Sequence, residues 1–393
     1  MRTASLGRRR PHSPAAGPLD DDDLLCEILI RLPPQPSSLP RASAVCKRWR
    51  RLVSDPTFFR RFRLHHRRNP PLLGFFQGTG IGSQGMTFVP TLEAPNRVHP
   101  GRFSPPSGLG DCFQCLGCRH GLVLFFLQNS LRVLVWDPVT GDQHRLAIPP
   151  GVATYAKNAL INGAVLRAAG DVQHFQVVLT VAYGDEQHRR ALACLYSSQT
   201  GLWGDLVSIP LPCEASNWEL SVNTDDAVLD GDYLYWVLEE FSFSYRILEF
   251  DLLKQSLAVI EVPSDMCSED IRFGIMRAEG GGLGVLLVSD SDCTAQLWKR
   301  KTDWGGVASW SLARTIELGK LLSLKSDEKG PLYIPGFAEE NNTVFMWTSA
   351  GLFMIHLESL KCNKIFEGQP GTFYQPFEGV YAAGNNMRLT WQI

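Results

Sequence analysis

The chain holds 393 residues, 44% hydrophobic and 20% charged, with a formal net charge of −2, a composition that excludes disorder and supports a large buried core. The balance hides a split, because residues 1–71 carry 15 Lys/Arg against 6 Asp/Glu and the rest 23 against 34, which is +9 followed by −11. The acidic majority excludes a uniform nucleic-acid surface, and the split predicts a boundary near Pro70-Pro71 in a chain long enough for two or three units.

Residues 1–18 are rich in Arg, Pro, Ser and Ala without apolar periodicity, the composition of a disordered leader. Arg8-Arg9-Arg10 reads as a solvated tail in preference to a nuclear address. The acidic run Asp20 to Asp23 then favours the positive end of a helix, and Leu24, Leu25, Ile28, Leu29 and Leu32 follow at helical spacing before Pro33-Pro34 stops it. Ser38 is placed to cap a second helix, with Leu39, Ala42, Val45, Cys46, Trp49 and Leu52 on one face. A third starts at Asp55-Pro56 and gathers Phe58, Phe59 and Phe62. Three short helices make little core alone and must lean on a partner, the next unit, or both.

The string from Leu24 to Pro33, the stretch Leu39 to Trp49, and Asp55-Pro56 with Phe58 resemble an F-box over residues 19–62, in the expected order and spacing. The departure is Leu19-Asp20, where the family has Leu-Pro. The resemblance implies docking on a Skp-type adaptor and, through it, on a cullin scaffold. By motif position it implies Leu19, Leu24, Leu25, Ile28, Leu29, Leu32 and Pro33 as adaptor contacts, with Val45 and Trp49 weighed instead as the unit's own core. The F-box unit is expected over 19–66.

Beyond Pro71, apolar stretches of five to eight residues alternate with Gly, Asp, Asn and Pro, which predicts an all-β unit over 67–393. The longest unbroken run, Leu122 to Leu127, is far short of the roughly 18 residues that span a bilayer, so no membrane role is expected. Anchors at Trp136-Asp137, Tyr196-Ser197, Phe250-Asp251, Trp298-Lys299 and Ile355-His356 recur at 60, 54, 48 and 57 residues. That period predicts a kelch-sized β-propeller of five or six blades, with Leu72 to Phe76 and Met387 to Gln392 available to close the ring from both chain ends. Arg119 to Val123, Trp136 to Gly141 and Leu248 to Leu252 also resemble the F-box-associated domains of plant F-box proteins.

Ten cysteines without a secretory signal read as reduced thiols, which points to the cytoplasm, the nucleus or both. Cys112, Cys115, Cys118 and His120 crowd as zinc ligands would, but the spacing is tighter than usual, and structural cysteines beside a strand are the preferred reading, with no metal or other cofactor expected. No nucleophile elbow, phosphate loop or metalloprotease pair is present, so no catalytic residue is assigned. Gly280-Gly281-Gly282 reads as a hairpin turn, Asp225-Asp226 and Glu339-Glu340 as solvated loop carboxylates, and His65 to Arg68 as a linker whose charge favours a helix C-terminus rather than as a nucleic-acid patch.

The function expected is therefore a non-catalytic substrate receptor of a ubiquitin ligase, with an unknown protein substrate. A propeller that binds a carbohydrate or small molecule is the alternative. Substrate would be met at loop tips such as Gly184-Asp185-Glu186, Asn217-Trp218-Glu219 and Ser289 to Asp292.

Overall fold

The computed structural model describes residues 17, 19, 21–78, 85–106, 113–156, 159–167, 173–184, 189–211, 220–222, 226–240, 244–302, 307–324, 330–366 and 373–382. The expected leader, apart from Gly17, lies outside the described residues, as do Cys112, Asp225, the tip at Asn217 to Glu219 and the strand expected over Met387 to Gln392.

Helix α1 (Asp22–Ile30) starts at the acidic run, where the Asp21 carboxylate accepts from the Asp23 and Leu24 backbone N–H groups. The expected second helix is two helices, α2 (Ser38–Ser43) and α3 (Lys47–Val53). The backbone N–H groups of Ala44 and Val45 turn back onto α2 carbonyls, and Cys46 is extended with φ −161° before it caps α3 through Sγ. The break turns Val45 outward to 61% exposure, so it is not core, while Trp49 packs at the edge of the core. Ser37, not Ser38, precedes α2, and its hydroxyl donates to Asn96 Oδ1 at 2.7 Å instead of capping. Helix α4 (Pro56–His65) begins as the sequence predicts, with Asp55 accepting from Thr57 and Phe58. The helices bury Leu25, Leu29, Leu39, Val53, Phe58 and Phe62 together with Val380 and Ala382, so the far end of the chain completes this small core.

The rest is a β-propeller of six blades. Five are built in chain order, over 113–147, 161–210, 220–261, 271–317 and 333–366; the first, fourth and fifth have four strands, and the other two have five, because the outer strand over 202–210 and the inner strand over 220–230 are each split in two. The sixth is made from both ends of the domain, where Phe373–Glu378 pairs antiparallel with Leu72–Gly78, which in turn pairs with Met86–Pro90. The closing strand is therefore Phe373–Glu378, which joins the two ends of the domain in one sheet and so closes the ring. All five sequence anchors fall on the third strand of a blade. At Asp137, Ser197, Asp251 and His356 the strand ends in one shared turn, whose residue four positions on has positive φ: Gly141 86°, Gly201 73°, Gln255 49° and Leu360 53°. Trp298 is the exception, because its strand runs on to Thr302.

Six apolar clusters fill the six seams between neighbouring blades. The run Leu122 to Leu127 shows how: Leu122, Leu124 and Phe126 enter one seam, and Val123, Phe125 and Leu127 enter the seam on the other side. A strand buried on both faces has no polar alternation, which is why these stretches are continuous in sequence. No helix among the described residues is long and apolar enough to cross a membrane.

Candidate functional site

Two surfaces are candidates for function, one on the helices and one along the propeller axis. On α1, Leu24 and Ile28 lie one turn apart and point outward at 50% and 43% exposure, with Leu19 at 49% just before the helix. Pro33 is exposed and Leu32 half-buried. Leu25 and Leu29 lie on the other side at 0% and 1% exposure, so the structure withdraws these two from the expected contact set and gives them to the core.

The helices sit on one end of the ring. Arg63 of α4 donates to Asp137 Oδ2 at 3.0 Å, and Arg167 of a neighbouring blade donates to the same oxygen at 2.9 Å. Asp137 also accepts from the Val139 and Thr140 N–H groups. Burial would raise its carboxyl, but the Arg63 and Arg167 guanidinium groups outweigh burial and hold it below the usual carboxylate range. Arg67 donates to the Arg167 carbonyl and lies 3.4 Å from His120 Nδ1, while Asn341 Nδ2 donates to the Pro70 carbonyl at 2.9 Å. The His65 to Arg68 segment is thus a joint between helices and ring as well as a helix end, for His66 Nε2 also bonds the Ile30 carbonyl at 2.9 Å.

Along the axis the innermost strands, among them Phe113–Arg119, Ile271–Arg277, Tyr333–Ala338 and Phe373–Glu378, line a channel of about 590 Å³. Strands alternate in direction, so these innermost strands end near the helical unit and start at the opposite mouth. Gly184, at the end of a second strand, and the expected tip at Ser289 to Asp292 lie on that opposite side, while Asp185 and Glu186 lie outside the described residues. At the mouth, Tyr245 and Phe273 stack at 4.7 Å and 9°, and Arg272 lies 5.4 Å over the Tyr333 ring while it pairs with Asp290 at 3.1 Å.

Near the helical end, Arg119 grips Glu339 across the channel through two bonds of 2.9 and 2.8 Å, both side chains being nearly buried. Glu339 also accepts from the Leu229 N–H, so the expectation of solvated loop carboxylates at Glu339-Glu340 is corrected. That pair was beyond sequence reasoning because its members are 220 residues apart; the available signal was the Arg119-His120-Gly121 motif. Glu378 accepts from Asn341 N at 2.8 Å, Asn341 Nδ2 at 2.6 Å and Glu340 N at 3.2 Å, and burial pushes its carboxyl up to about 7 against those bonds. Burial also raises Glu340 and Glu239.

His120 has φ 53° and its Nδ1 accepts from Arg167 N at 3.1 Å. Burial, then Arg67, Arg119, Arg167 and Arg277, push its pKa well below the usual range. A ring nitrogen already bonded and ringed by guanidinium groups is a poor metal ligand, and burial first, then Cys115, raises the Cys118 thiol well up, leaving it protonated and unreactive. No group of three or more metal-ligating side chains occurs among the described residues.

Comparison with known proteins bears on both units. Residues 22–65 match the F-box-like family model, and residues 114–381 match the model described as F-box protein AT5G49610-like, beta-propeller. The F-box/kelch-repeat protein At3g23880 of Arabidopsis thaliana is 23% identical over 374 residues, covering 94% of this chain and 92% of its own length. At3g17530, another F-box/kelch-repeat protein of that plant, is 24% identical over 311 residues and 76% of each chain. Among solved structures, the periplasmic gluconolactonase PpgL of Pseudomonas aeruginosa aligns at a TM-score of 0.41 and 12% identity, over 76% of this chain and 84% of that one. The helical unit and the ring are thus an F-box and its propeller, and the chain belongs to the family of F-box proteins with an AT5G49610-like β-propeller.

Proposed function

We propose that this protein is the substrate receptor of a Skp-cullin-F-box ubiquitin ligase in the cytoplasm or nucleus, recruiting a protein target through the propeller and performing no catalysis itself. The F-box would bind the Skp-type adaptor through Leu19, Leu24, Ile28 and Pro33, with Leu32 at the edge, and the adaptor would bring the cullin scaffold.

The observation that carries this reading is the exposure of Leu19, Leu24, Ile28 and Val45 on a unit of four short helices whose other large apolar side chains are buried or half-buried. An apolar cluster left in water on so small a unit marks a surface meant to be covered. The family supports it, since the F-box-like match covers these helices.

The test is co-purification of a Skp-type adaptor with the full chain, because the F-box core includes Val380 and Ala382 and an isolated N-terminal fragment would lack them. Ile28→Asp places a charge at the centre of the face and should abolish capture with the thermal midpoint unchanged, since Ile28 is 43% exposed in the free chain. Adaptor capture as strong as that of the parent chain would sink the proposal.

A further inference from the structure

We propose that the propeller channel is a seat for a basic side chain, lysine or arginine, presented by the protein captured at the mouth away from the F-box. This rests on the receptor reading above and names the chemistry of what the receptor takes.

The channel's charge points one way. Its lining carries five carboxylates, Asp226, Glu239, Glu339, Glu340 and Glu378, against two guanidinium groups, Arg119 and Arg272. Arg119 is committed to Glu339 and Arg272 to Asp290, which is outside the lining. Arg277 reaches Glu340 at 3.5 Å, so the surplus of negative charge rests on Glu239 and, in part, on Glu378, whose carboxyl burial pushes up to about 7.

A second, independent observation concerns hydrogen bonding. Gln375, on the innermost strand of the closing blade, lines the channel with only 5% of its surface exposed, and its Oε1 has no hydrogen-bond partner among the described residues. A buried amide oxygen without a donor carries a free-energy cost that a donating ligand would offset. Glu239, half-buried at the mouth, has no side-chain hydrogen bond or ion pair among the described residues either. Both groups accept and neither can be satisfied by an anion or by an apolar ligand. Ammonium and guanidinium groups only donate, and carry the charge the lining lacks.

Shape agrees. About 590 Å³ is the size of a small-ligand pocket rather than of a folded element, so a side chain and accompanying water fit while a helix does not. The walls hold Tyr245, Phe273, Trp347 and Tyr374, aromatic surface on which the methylene stem of Lys or the plane of Arg can lie while the head meets the acceptors.

The test is calorimetric titration of the full chain with blocked tripeptides, acetyl-Ala-Arg-Ala-amide and its Lys counterpart, against a citrulline twin that keeps the shape of Arg without its charge. The Arg and Lys peptides should bind, and the citrulline peptide should bind about tenfold more weakly or less. Glu239→Gln and Gln375→Met should each weaken the Arg peptide about tenfold, with no loss of thermal midpoint and with adaptor capture unchanged; if one fails to fold, the other decides. Equal binding of Arg and citrulline peptides, or full binding by a folded variant, overturns the inference. Binding of free agmatine with exclusion of the blocked peptides overturns the protein origin of the cation. Adaptor capture is scored separately: capture without any peptide binding overturns the channel inference alone, and absence of capture by the parent chain overturns the receptor reading.

Discussion

Arg63→Ala cuts the main ionic tie between the F-box and its propeller, and its cost follows from what is left behind. The Arg63 and Asp137 side chains are 14% and 6% exposed and meet at 3.0 Å, away from bulk water. After the substitution Asp137 still holds Arg167 at 2.9 Å and two backbone N–H groups, so no carboxylate is orphaned. The loss is then that of one charge-assisted hydrogen bond, about 1.5–3 kcal/mol. Asp137→Ala should cost more, about 3–5 kcal/mol, because it takes the counter-ion from the nearly buried Arg63 guanidinium and one charged partner from Arg167. If the Arg63 loss falls on docking, the undocked fraction of F-box rises about 10- to 100-fold. Hydrogen exchange on the full chain checks this: amides of α4 should exchange faster in Arg63→Ala while the strands over 122–136 keep their protection. Uniformly faster exchange, or a cost equal to that of Asp137→Ala, would refute a joint that is local and carried by this contact. Adding Arg63→Ala to Asp137→Ala should then cost less than it does alone.

Glu378 has the opposite pH signature to Asp137. Its folded carboxyl stands at about 7 against an ordinary 4.5, so its contribution is fully present below 4.5 and lost as pH rises through 7, about 3 kcal/mol in all. Glu378→Gln should flatten that slope, read as a smaller difference between urea stabilities at pH 5 and pH 8. Val380→Asp places a charge in the F-box core from the propeller's end of the chain and should reduce both thermal midpoint and adaptor capture, whereas Ile28→Asp reduces capture alone. Gly336→Ala would set a Cβ 2.5 Å from the Tyr374 carbonyl oxygen, so the seam of the closing blade must shift; a loss of about 1–3 kcal/mol in urea unfolding is expected.

The ring was legible in sequence because its physics repeats. Each blade must bury both faces of its middle strands and then turn tightly, so apolar runs and a turn residue recur at a near-constant period, and Asp137 and Asp251 even make the same pair of bonds to the next backbone N–H groups. Closure was half legible: Leu72–Gly78 is a strand as expected, but its partner is Phe373–Glu378. That strand reads weakly because it is short and interrupted by Pro376, which an innermost strand tolerates on the side facing the channel. The channel's carboxylates were not legible, since a pair such as Glu339-Glu340 looks the same in sequence whether its loop meets water or a distant Arg119.

The F-box shows the same limit at the scale of one helix. Leu24, Leu25, Ile28 and Leu29 are adjacent pairs one turn apart, so helical spacing groups all four on a broad apolar face and does not divide them. The division comes from what packs behind: Leu25 and Leu29 share one core with Phe58, Phe62 and Val380, and among the described residues none buries Leu24 and Ile28. A helix of nine residues with apolar side chains on two sides is more hydrophobic than its own small core requires. The excess is the sequence's trace of a second surface, and the same excess that made the core hard to delimit is what makes a docking partner the economical explanation of α1.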